Sequence, residues 1–283
     1  MELIFSAALC SVLVSILLKI AKSKGFDILQ MIVWNYAIAS VLCFVWFRPD
    51  LFQISIQATP WWLIIVLGLV LPTIFLLLAK SLENAGILKT EIAQRLSVVL
   101  SLSAAYFLFN EHFSRLKLLG VAIGLIAVLI IVFARSGGSA SSQSKKSILY
   151  LLCVWLGYAV VDILLKYTTS LGLQFAVSLN LMFIFAFILS LFYLAIKKTV
   201  WTKQNFLAGL SLGVLNFANI ALYVKAHMIL KDSPAIVFAG MNILVVVFGV
   251  VAGVLVFKER MNWTLIFGLW LAIAGVVCLA MAI

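Results

Sequence analysis

Charged side chains are scarce in this chain, and that scarcity is the first indication of whether the protein is soluble or membrane-embedded. Of its 283 residues, 20 are Lys or Arg and nine are Asp or Glu, so that only 10% are charged. Soluble domains are about one-quarter charged and about one-half apolar. This chain is 66% hydrophobic, with a mean hydropathy of +1.25. These values exclude a soluble enzyme or binding domain and predict an integral membrane protein.

Residues that build metal centres and catalytic clusters are few and widely separated. The four cysteines each lie inside an apolar run without close spacing, as small core residues do and disulfides or metal ligands do not. His112 and His227 are isolated, which leaves no haem pair, zinc set or catalytic triad. The aspartates do not cluster, which argues against a metal-dependent prenyl or phosphatidyl transferase. We therefore expect no metal, no cofactor and no enzymatic activity.

The net charge of +11 has an explanation other than nucleic acid. The Lys and Arg residues stand singly or in pairs at the ends of apolar runs, without a basic groove of interleaved aromatic residues. Such cations are typical of membrane flanks, where they contact lipid headgroups and set the topology. The expected partner is therefore the lipid bilayer, and no nucleic acid.

Long apolar runs fill most of the chain. A bilayer core about 30 Å thick is crossed by about 20 apolar residues in a helix. The runs are continuous rather than alternating, which favours helices over a closed barrel. The sequence predicts an all-α integral membrane protein with ten transmembrane helices. The predicted spans are 2–22, 29–47, 60–80, 87–109, 114–134, 148–168, 175–196, 204–226, 233–257 and 262–282.

The chain contains an internal repeat. The sequence Ile-Leu-Leu-Lys ends at Lys19 and again at Lys166, 147 residues later. A period of this length indicates a duplicated unit. Because each unit holds five spans, an odd number, two fused copies cross the membrane in opposite directions and form an inverted repeat. Further pairs in register are Asn35 with Asn180, Gly68 with Gly213, and Glu111 with Glu259.

A flexible stretch separates the two units. Residues 136–147 are rich in Gly and Ser, the composition of a flexible linker. We therefore assign 1–135 to the first five-helix repeat, 136–147 to the linker and 148–283 to the second five-helix repeat.

This arrangement resembles the drug/metabolite transporter superfamily, and in particular its EamA-type members. The resemblance rests on the two five-helix units, on the Glu111 and Glu259 turns before each fifth helix, and on Gly120 and Gly268 nine residues later. It implies a multi-pass carrier of the bacterial inner membrane, with a central cavity and alternating access. It does not name the solute, because members carry amino acids, sugars, nucleotides, lipids and drugs.

Polar side chains inside the predicted spans are the candidates for a binding site, because they are costly in lipid. Arg95 is a forked donor suited to an anionic group, and Asp162 offers a carboxylate to a cationic group. We predict that the substrate is bound by Asn35, Gln94, Arg95, Trp155, Tyr158, Asp162, Asn180, Asn216, Asn219 and Asn242.

Each of these residues has a structural alternative that the sequence leaves open. Glu91 and Arg95 are four apart on one helix face, so an internal ion pair is the alternative role of Arg95. The asparagines equally suit hydrogen bonds between helices. The stripe from Trp155 to Asp162 equally suits packing, with an Asp162–Lys166 pair near the membrane surface.

These patterns predict a secondary transporter, and specifically an exporter, of small polar or zwitterionic metabolites that resemble amino acids. The alternative is a membrane-embedded lipid-modifying enzyme, or a flippase or scaffold for lipid-linked substrates. Gly120 and Gly124 form a GxxxG pattern in span five, and Gly268 and Ala272 place small residues in span ten. A homodimer through spans five and ten is a further expectation.

Basic residues are unevenly divided between the two membrane faces. Thirteen follow odd-numbered spans and six follow even-numbered spans, which by the positive-inside rule places both termini outside the cytoplasm. The family resemblance implies that both termini are inside, so the sequence leaves the orientation open.

Overall fold

The computed structural model describes residues 2–51, 59–108, 114–133, 145–171, 174–230 and 234–282, and within them all regular structure is helical. A π-helical turn, Ala252–Val256, extends the tenth α-helix. In chain order the α-helices are α1 (Glu2–Ser23), α2 (Ile28–Phe47), α3 (Trp61–Asn84), α4 (Ile87–Arg95), α5 (Ser97–Leu108), α6 (Arg115–Phe133), α7 (Lys145–Ser170), α8 (Phe175–Ile196), α9 (Lys203–Ile229), α10 (Pro234–Val251) and α11 (Trp263–Met281).

Nine of the described helices are long and apolar enough to cross a membrane. Their outer surfaces carry large apolar side chains, among them Val45, Phe192 and Trp263, which are 64%, 65% and 85% exposed. Continuous apolar surface of this kind is unfavourable in water and normal for helices that face lipid. The protein is therefore a multi-pass membrane protein.

The fourth predicted span is broken into two helices. α4 ends at Arg95 and α5 begins at Ser97, so the prediction of one continuous helix over 87–109 is wrong at Leu96. The Leu96 carbonyl accepts a 3.0 Å hydrogen bond from the indole of Trp155, and Ser97 Oγ donates to the Gln94 carbonyl at 2.7 Å. Lipid cannot satisfy the backbone groups that a break frees, so these protein partners are what sustain it.

The remaining predicted spans each coincide with one long helix, so the described chain has nine long helices and one broken pair. α7 begins at Lys145, three residues before the predicted start of the second unit. Residues 136–144 of the predicted linker, and Glu111 with its turn, lie outside the described residues.

Helices of the first half pack mainly on helices of the second half. α2 packs on α9 and α3 on α8, while α1 packs on α9 and α7 on α3. A Cβ placed on Gly68 of α3 would lie 2.7 Å from Phe185 Cβ of α8. One placed on Gly213 of α9 would lie 2.8 Å from the carbonyl oxygen of Asn35 on α2. Glycines at equivalent positions thus allow both helix pairs to approach closely.

α6 and α11 pack against each other within the chain. A Cβ on Gly120 would lie 2.9 Å from Leu279 Cγ, and one on Gly268 would lie 2.7 Å from Ile131 Cγ1. The glycines that motivated the homodimer prediction are therefore engaged inside one chain. The homodimer stays a prediction, which a single chain does not test.

Candidate functional site

A large cavity lies between the two halves of the bundle. Its volume is about 830 Å³, within the range of roughly 300–1,000 Å³ that is usual for small-molecule sites. Residues of α1, α2, α3, α7, α8, α9, α10 and the broken α4–α5 pair form its wall. Most of this wall is apolar or aromatic, and a limited set of polar side chains interrupts it.

The break after α4 brings Arg95 and Gln94 to the cavity wall. Arg95 is the last residue of α4, and its Nη2 donates to Ser11 Oγ on α1. Arg95 Nε and Gln94 Oε1 have no hydrogen-bond partner among the described residues. The Glu91–Arg95 ion pair that the spacing allowed is not formed, since neither carboxylate oxygen of Glu91 has a partner there. The guanidinium is therefore available to a ligand.

α7 contributes Tyr158 and Asp162, one turn apart, to the same wall. Asp162 Oδ2 accepts a 3.1 Å hydrogen bond from Ser101 Oγ on α5. Ser101 lies about one turn after the break and Arg95 directly before it. The cavity thus carries a cation and a carboxylate on one wall.

Asparagines of α9 and α10 add amide groups to the lining. Asn216 Nδ2 donates to Asn35 Oδ1 on α2 at 3.2 Å, while Asn219 Oδ1 has no partner in the described chain. Asn242 Nδ2 donates to the Phe238 carbonyl one turn earlier, at 2.9 Å. The predicted site residues that line the cavity are Gln94, Arg95, Tyr158, Asp162, Asn216, Asn219 and Asn242.

Three predicted residues do not reach the cavity. Asn35 is fully buried behind the wall, and Asn180 Nδ2 donates to the Ser40 carbonyl of α2 at 2.9 Å. Trp155 donates to the backbone at the α4–α5 break. These are contacts of interhelical packing, the alternative that the sequence left open. Helical spacing assigns a side chain to a face, but not to the neighbour that this face meets.

Sequence reasoning missed several polar residues of the wall. Ser11 and Ser15 stand four apart on one face of α1, which was the one available signal. The others have types that serve equally well in packing, so nothing in the pattern separates them. They are Tyr36, Ser97, Tyr223 and His227.

Four buried polar atoms of the wall lack a hydrogen-bond partner within the described residues: Tyr36 Oη, Gln94 Oε1, Arg95 Nε and Asn219 Oδ1. Buried polar atoms in proteins nearly always have a partner, in the protein or in solvent. Two of these atoms accept, one donates, and the hydroxyl does both. The wall therefore fits a small molecule that carries both donors and acceptors.

Glu259 holds together one end of the bundle. Its carboxylate accepts hydrogen bonds from the backbone N–H groups of Ile87 (2.7 Å) and Leu88 (3.1 Å), at the start of α4, and forms an ion pair with Lys19 of α1. An anion at a helix N-terminus is also favoured by the helix dipole. Gly86 has a φ of 89°, and a Cβ there would lie 2.7 Å from the carboxylate oxygens. We call these five residues the Glu259 clamp.

The cavity extends away from the Glu259 clamp. Its wall residues on α10 lie near the start of that helix, whereas Glu259 follows the π-helical turn at its end. On α7 and α9 the wall residues lie in the C-terminal halves, and on α8 in the N-terminal half. One end of the cavity is therefore covered by the clamp, and the polar wall faces the other.

An apolar helix bundle around a mainly apolar cavity, with a few polar side chains in its wall and one covered end, suits a membrane transport protein. The model of the EamA-like transporter family matches residues 2–133 and again residues 145–281 of the sequence. The chain belongs to the EamA-like transporter family, as the sequence resemblance indicated.

Similarity to other proteins covers nearly the whole chain. An uncharacterised protein of Haemophilus influenzae is 38% identical over 286 residues, covering 98% of this chain and 97% of that protein. A solved structure titled "Crystal structure of protein" has a TM-score of 0.56 and 16% identity, and covers 98% of this chain and 94% of that one. At such low identity the structural similarity bears on the fold alone.

Proposed function

We propose that this protein is a secondary transporter, and specifically an exporter, of small polar or zwitterionic metabolites that resemble amino acids. The observation that carries the proposal is the pair of opposite charges, Arg95 and Asp162, on the wall of one 830 Å³ cavity. A guanidinium binds a carboxylate through two parallel hydrogen bonds. A carboxylate in turn accepts from an ammonium group, so an α-amino acid supplies the complement of both.

The remaining wall agrees with such a ligand. The amide oxygens of Gln94 and Asn219 and the hydroxyl of Tyr36 are buried and have no hydrogen-bond partner within the described residues. Amide oxygens of this kind accept from an ammonium group. Phe75, Phe183 and other apolar side chains surround the polar groups and suit an uncharged side chain. Polar groups that fix the pose within a mainly apolar pocket are the usual design of a small-molecule site.

The architecture we propose is ten transmembrane helices in two inverted five-helix repeats, with α4 and α5 counted as one broken span. The reciprocal packing of α2 on α9 and α3 on α8 supports this count. The equivalent positions of Gly68 and Gly213 support it as well. Discontinuous helices at the interface of inverted repeats are a common place for carrier sites.

Alternating access is the mechanism that we assign to the cavity. The Glu259 clamp covers one end, and transport requires this end to open while the other closes. The setting we propose is the bacterial inner membrane. The alternative of a lipid-modifying enzyme, flippase or scaffold has no observation that favours it over transport, because the polar groups line a cavity between the helices.

Counterflow in proteoliposomes tests the function. Vesicles loaded with unlabelled leucine, or with another of the twenty amino acids, are assayed for uptake of the same radiolabelled compound. The decarboxylated amine and the deaminated acid of leucine serve as matched solutes that each lack one charge. We expect exchange of amino acids and weaker exchange of both analogues. A folded protein that exchanges none of these solutes contradicts the proposal.

Direction needs a separate measurement. Everted membrane vesicles from cells that express the protein should accumulate the exchanged amino acid if the protein exports it. Accumulation in right-side-out vesicles and not in everted ones would assign import instead.

A further inference from the structure

Glu91 is a buried carboxyl group that the proposed binding of substrate does not use. It lies on α4, one turn before Arg95, and its exposed fraction is 0%. It is absent from the cavity wall, and neither of its oxygens has a hydrogen-bond partner within the described chain. Gly249 of α10 makes room for it, since a Cβ there would lie 2.9 Å from Glu91 Cγ.

The surroundings of Glu91 contain little that could balance a negative charge. The charged and titratable groups that face it are Arg95 on its own helix and Tyr158 on α7. α1 presents Ser15, α3 presents Ser81 to the neighbouring Thr90, and α10 presents Gly249. The described parts of α6 and the π-helical turn present apolar side chains and glycine to α4.

An ionised carboxylate in such a place is strongly unfavourable, because it has lost its water without gaining a hydrogen bond or an ion pair. A protonated carboxyl group avoids most of this cost. Arg95 is the one cation of the described residues that acts on Glu91, and its Nη2 donates to Ser11 instead. The geometry therefore places a carboxyl group that has no hydrogen-bond partner in the described chain beside a cation that a ligand in the cavity can bind.

We propose that Glu91 is a proton-binding site, and that its protonation leaves Arg95 free to bind an anionic group of the substrate. This proposal rests on the proposed function, because it uses Arg95 as the substrate's partner. In the step, a hydronium ion in the cavity loses a proton by way of Ser15, which lines the cavity and lies beside Glu91. An O–H bond of hydronium breaks, an O–H bond forms on one Glu91 oxygen, and the carboxyl group changes from anionic to neutral. When Glu91 loses its proton the O–H bond breaks, and Arg95 turns from the substrate's anionic group to the ionised Glu91.

The spacing allows this exchange without a movement of the backbone. Residues four apart on a helix lie on one face, within reach of a salt bridge. The substrate's anionic group and Glu91 therefore compete for one guanidinium. A proton then travels with each substrate molecule in the same direction, and export down a substrate gradient carries one proton outwards.

Infrared spectroscopy of the purified protein tests the proton without any substrate. We expect the wild type at neutral pH to show the C=O stretch of a protonated carboxyl group, and Glu91→Gln to lose it. Glu83→Gln is the matched control, because Glu83 is an exposed carboxylate 3.8 Å from Lys22 and should leave the band unchanged. A band that is missing from the wild type, or retained in Glu91→Gln, overturns the proposal.

Proteoliposomes test the coupling. The readout is the ratio of uptake with acid outside to uptake without a pH gradient, for the amino acid that counterflow exchanges fastest. We expect this ratio to exceed one in the wild type and in Glu91→Asp, and to fall to one in Glu91→Gln. A ratio of one or less in the wild type, or an unchanged ratio in Glu91→Gln, overturns proton coupling.

The two experiments separate the two proposals. A protein that exchanges no solute contradicts the transport function, while the infrared band still decides whether Glu91 holds a proton. A protein that exchanges amino acids without any response to the gradient retains the function and loses the coupling.

Discussion

At the scale of single residues, Arg95 has the clearest chemical role, because its guanidinium faces the cavity and Glu91 is not bonded to it. Arg95→Ala removes a charge-assisted contact worth about 1.5–3 kcal/mol, which corresponds to a loss of roughly tenfold or more. We expect counterflow of leucine to fall by that factor in Arg95→Ala. It should fall by less in Arg95→Lys, which keeps the positive charge but lacks the two parallel N–H donors of the guanidinium. Arg115→Ala, at the exposed start of α6, is the control. Unchanged kinetics in Arg95→Ala would refute this role.

Trp155 also acts at this scale, although its effect is on stability. Trp155→Phe removes the hydrogen bond to the Leu96 carbonyl and leaves a small void, which should cost about 1–3 kcal/mol. Trp62→Phe changes a side chain that is 57% exposed and should stay within about 0.5 kcal/mol of the wild type. Unfolding in detergent measures both variants. Equal stabilities would mean that the Trp155 hydrogen bond is not what sustains the break.

The site residues that the sequence located share one physical property. Arg95, Asp162 and Asn219 are costly in lipid, so their presence inside apolar runs requires an explanation. Tyr36 and Tyr223 carry no such cost, since tyrosine packs well among apolar neighbours, and the sequence did not single them out. Their place on the cavity wall follows from helix packing, which a periodic pattern does not contain.

At the scale of helices, glycine sets how closely the two halves approach. Gly213→Ala would bring a Cβ to 2.8 Å from the Asn35 carbonyl oxygen, which is backbone and cannot yield easily. Overpacking of this kind costs about 1–3 kcal/mol. Gly240→Ala is the matched control, because its Cβ would meet a side chain and no backbone atom, with Ile4 Cγ2 at 3.3 Å. Thermal unfolding should separate the two variants, and similar midpoints would contradict close packing of α2 on α9.

A second prediction at the scale of helices concerns the Glu259 clamp and the opening of the covered end. Glu259→Gln removes the ion pair with Lys19 and weakens the hydrogen bonds to the start of α4, so the covered end should open more often. In a protein without its native cysteines, Ser15→Cys on the cavity wall reports access by a membrane-impermeant thiol reagent. We expect Glu259→Gln to raise labelling from the clamp side.

Glu83→Gln is the control for the clamp. It breaks the exposed 3.8 Å pair with Lys22 without touching α4, and exposed pairs contribute little. Labelling that rises equally in both variants would show that the clamp does not hold the covered end closed.

The sequence predicted long helices well and the broken one poorly. Each long span is apolar for about 20 residues, and that length alone determines a membrane helix. The break at Leu96 has no Pro or Gly beside it. One of its two partners, Trp155, is distant in sequence and reaches Leu96 only after α7 has packed. Local pattern cannot contain a contact of that kind.

At the scale of the whole molecule, the charges make a prediction about orientation. Basic residues concentrate at the ends of helices on the clamp side, thirteen after odd-numbered spans against six after even-numbered ones. The positive-inside rule places that side in the cytoplasm. We expect alkaline phosphatase fused after the C-terminus to be active and a fluorescent protein at the same place to be dark. The reverse pattern would put both termini in the cytoplasm.

The capping of α4 has a thermodynamic consequence for the whole transporter. α4 is nine residues long, or roughly 14 Å at 1.5 Å per residue, with the Glu259 carboxylate bound at one end and Arg95 at the other. A short helix transmits a displacement at either end to the other. Linkage is reciprocal, so a ligand that Arg95 binds more tightly when the clamp is closed must strengthen the clamp by the same factor. The change in substrate affinity on closing of the clamp and the change in clamp stability on binding of substrate are then two measurements of one coupling free energy.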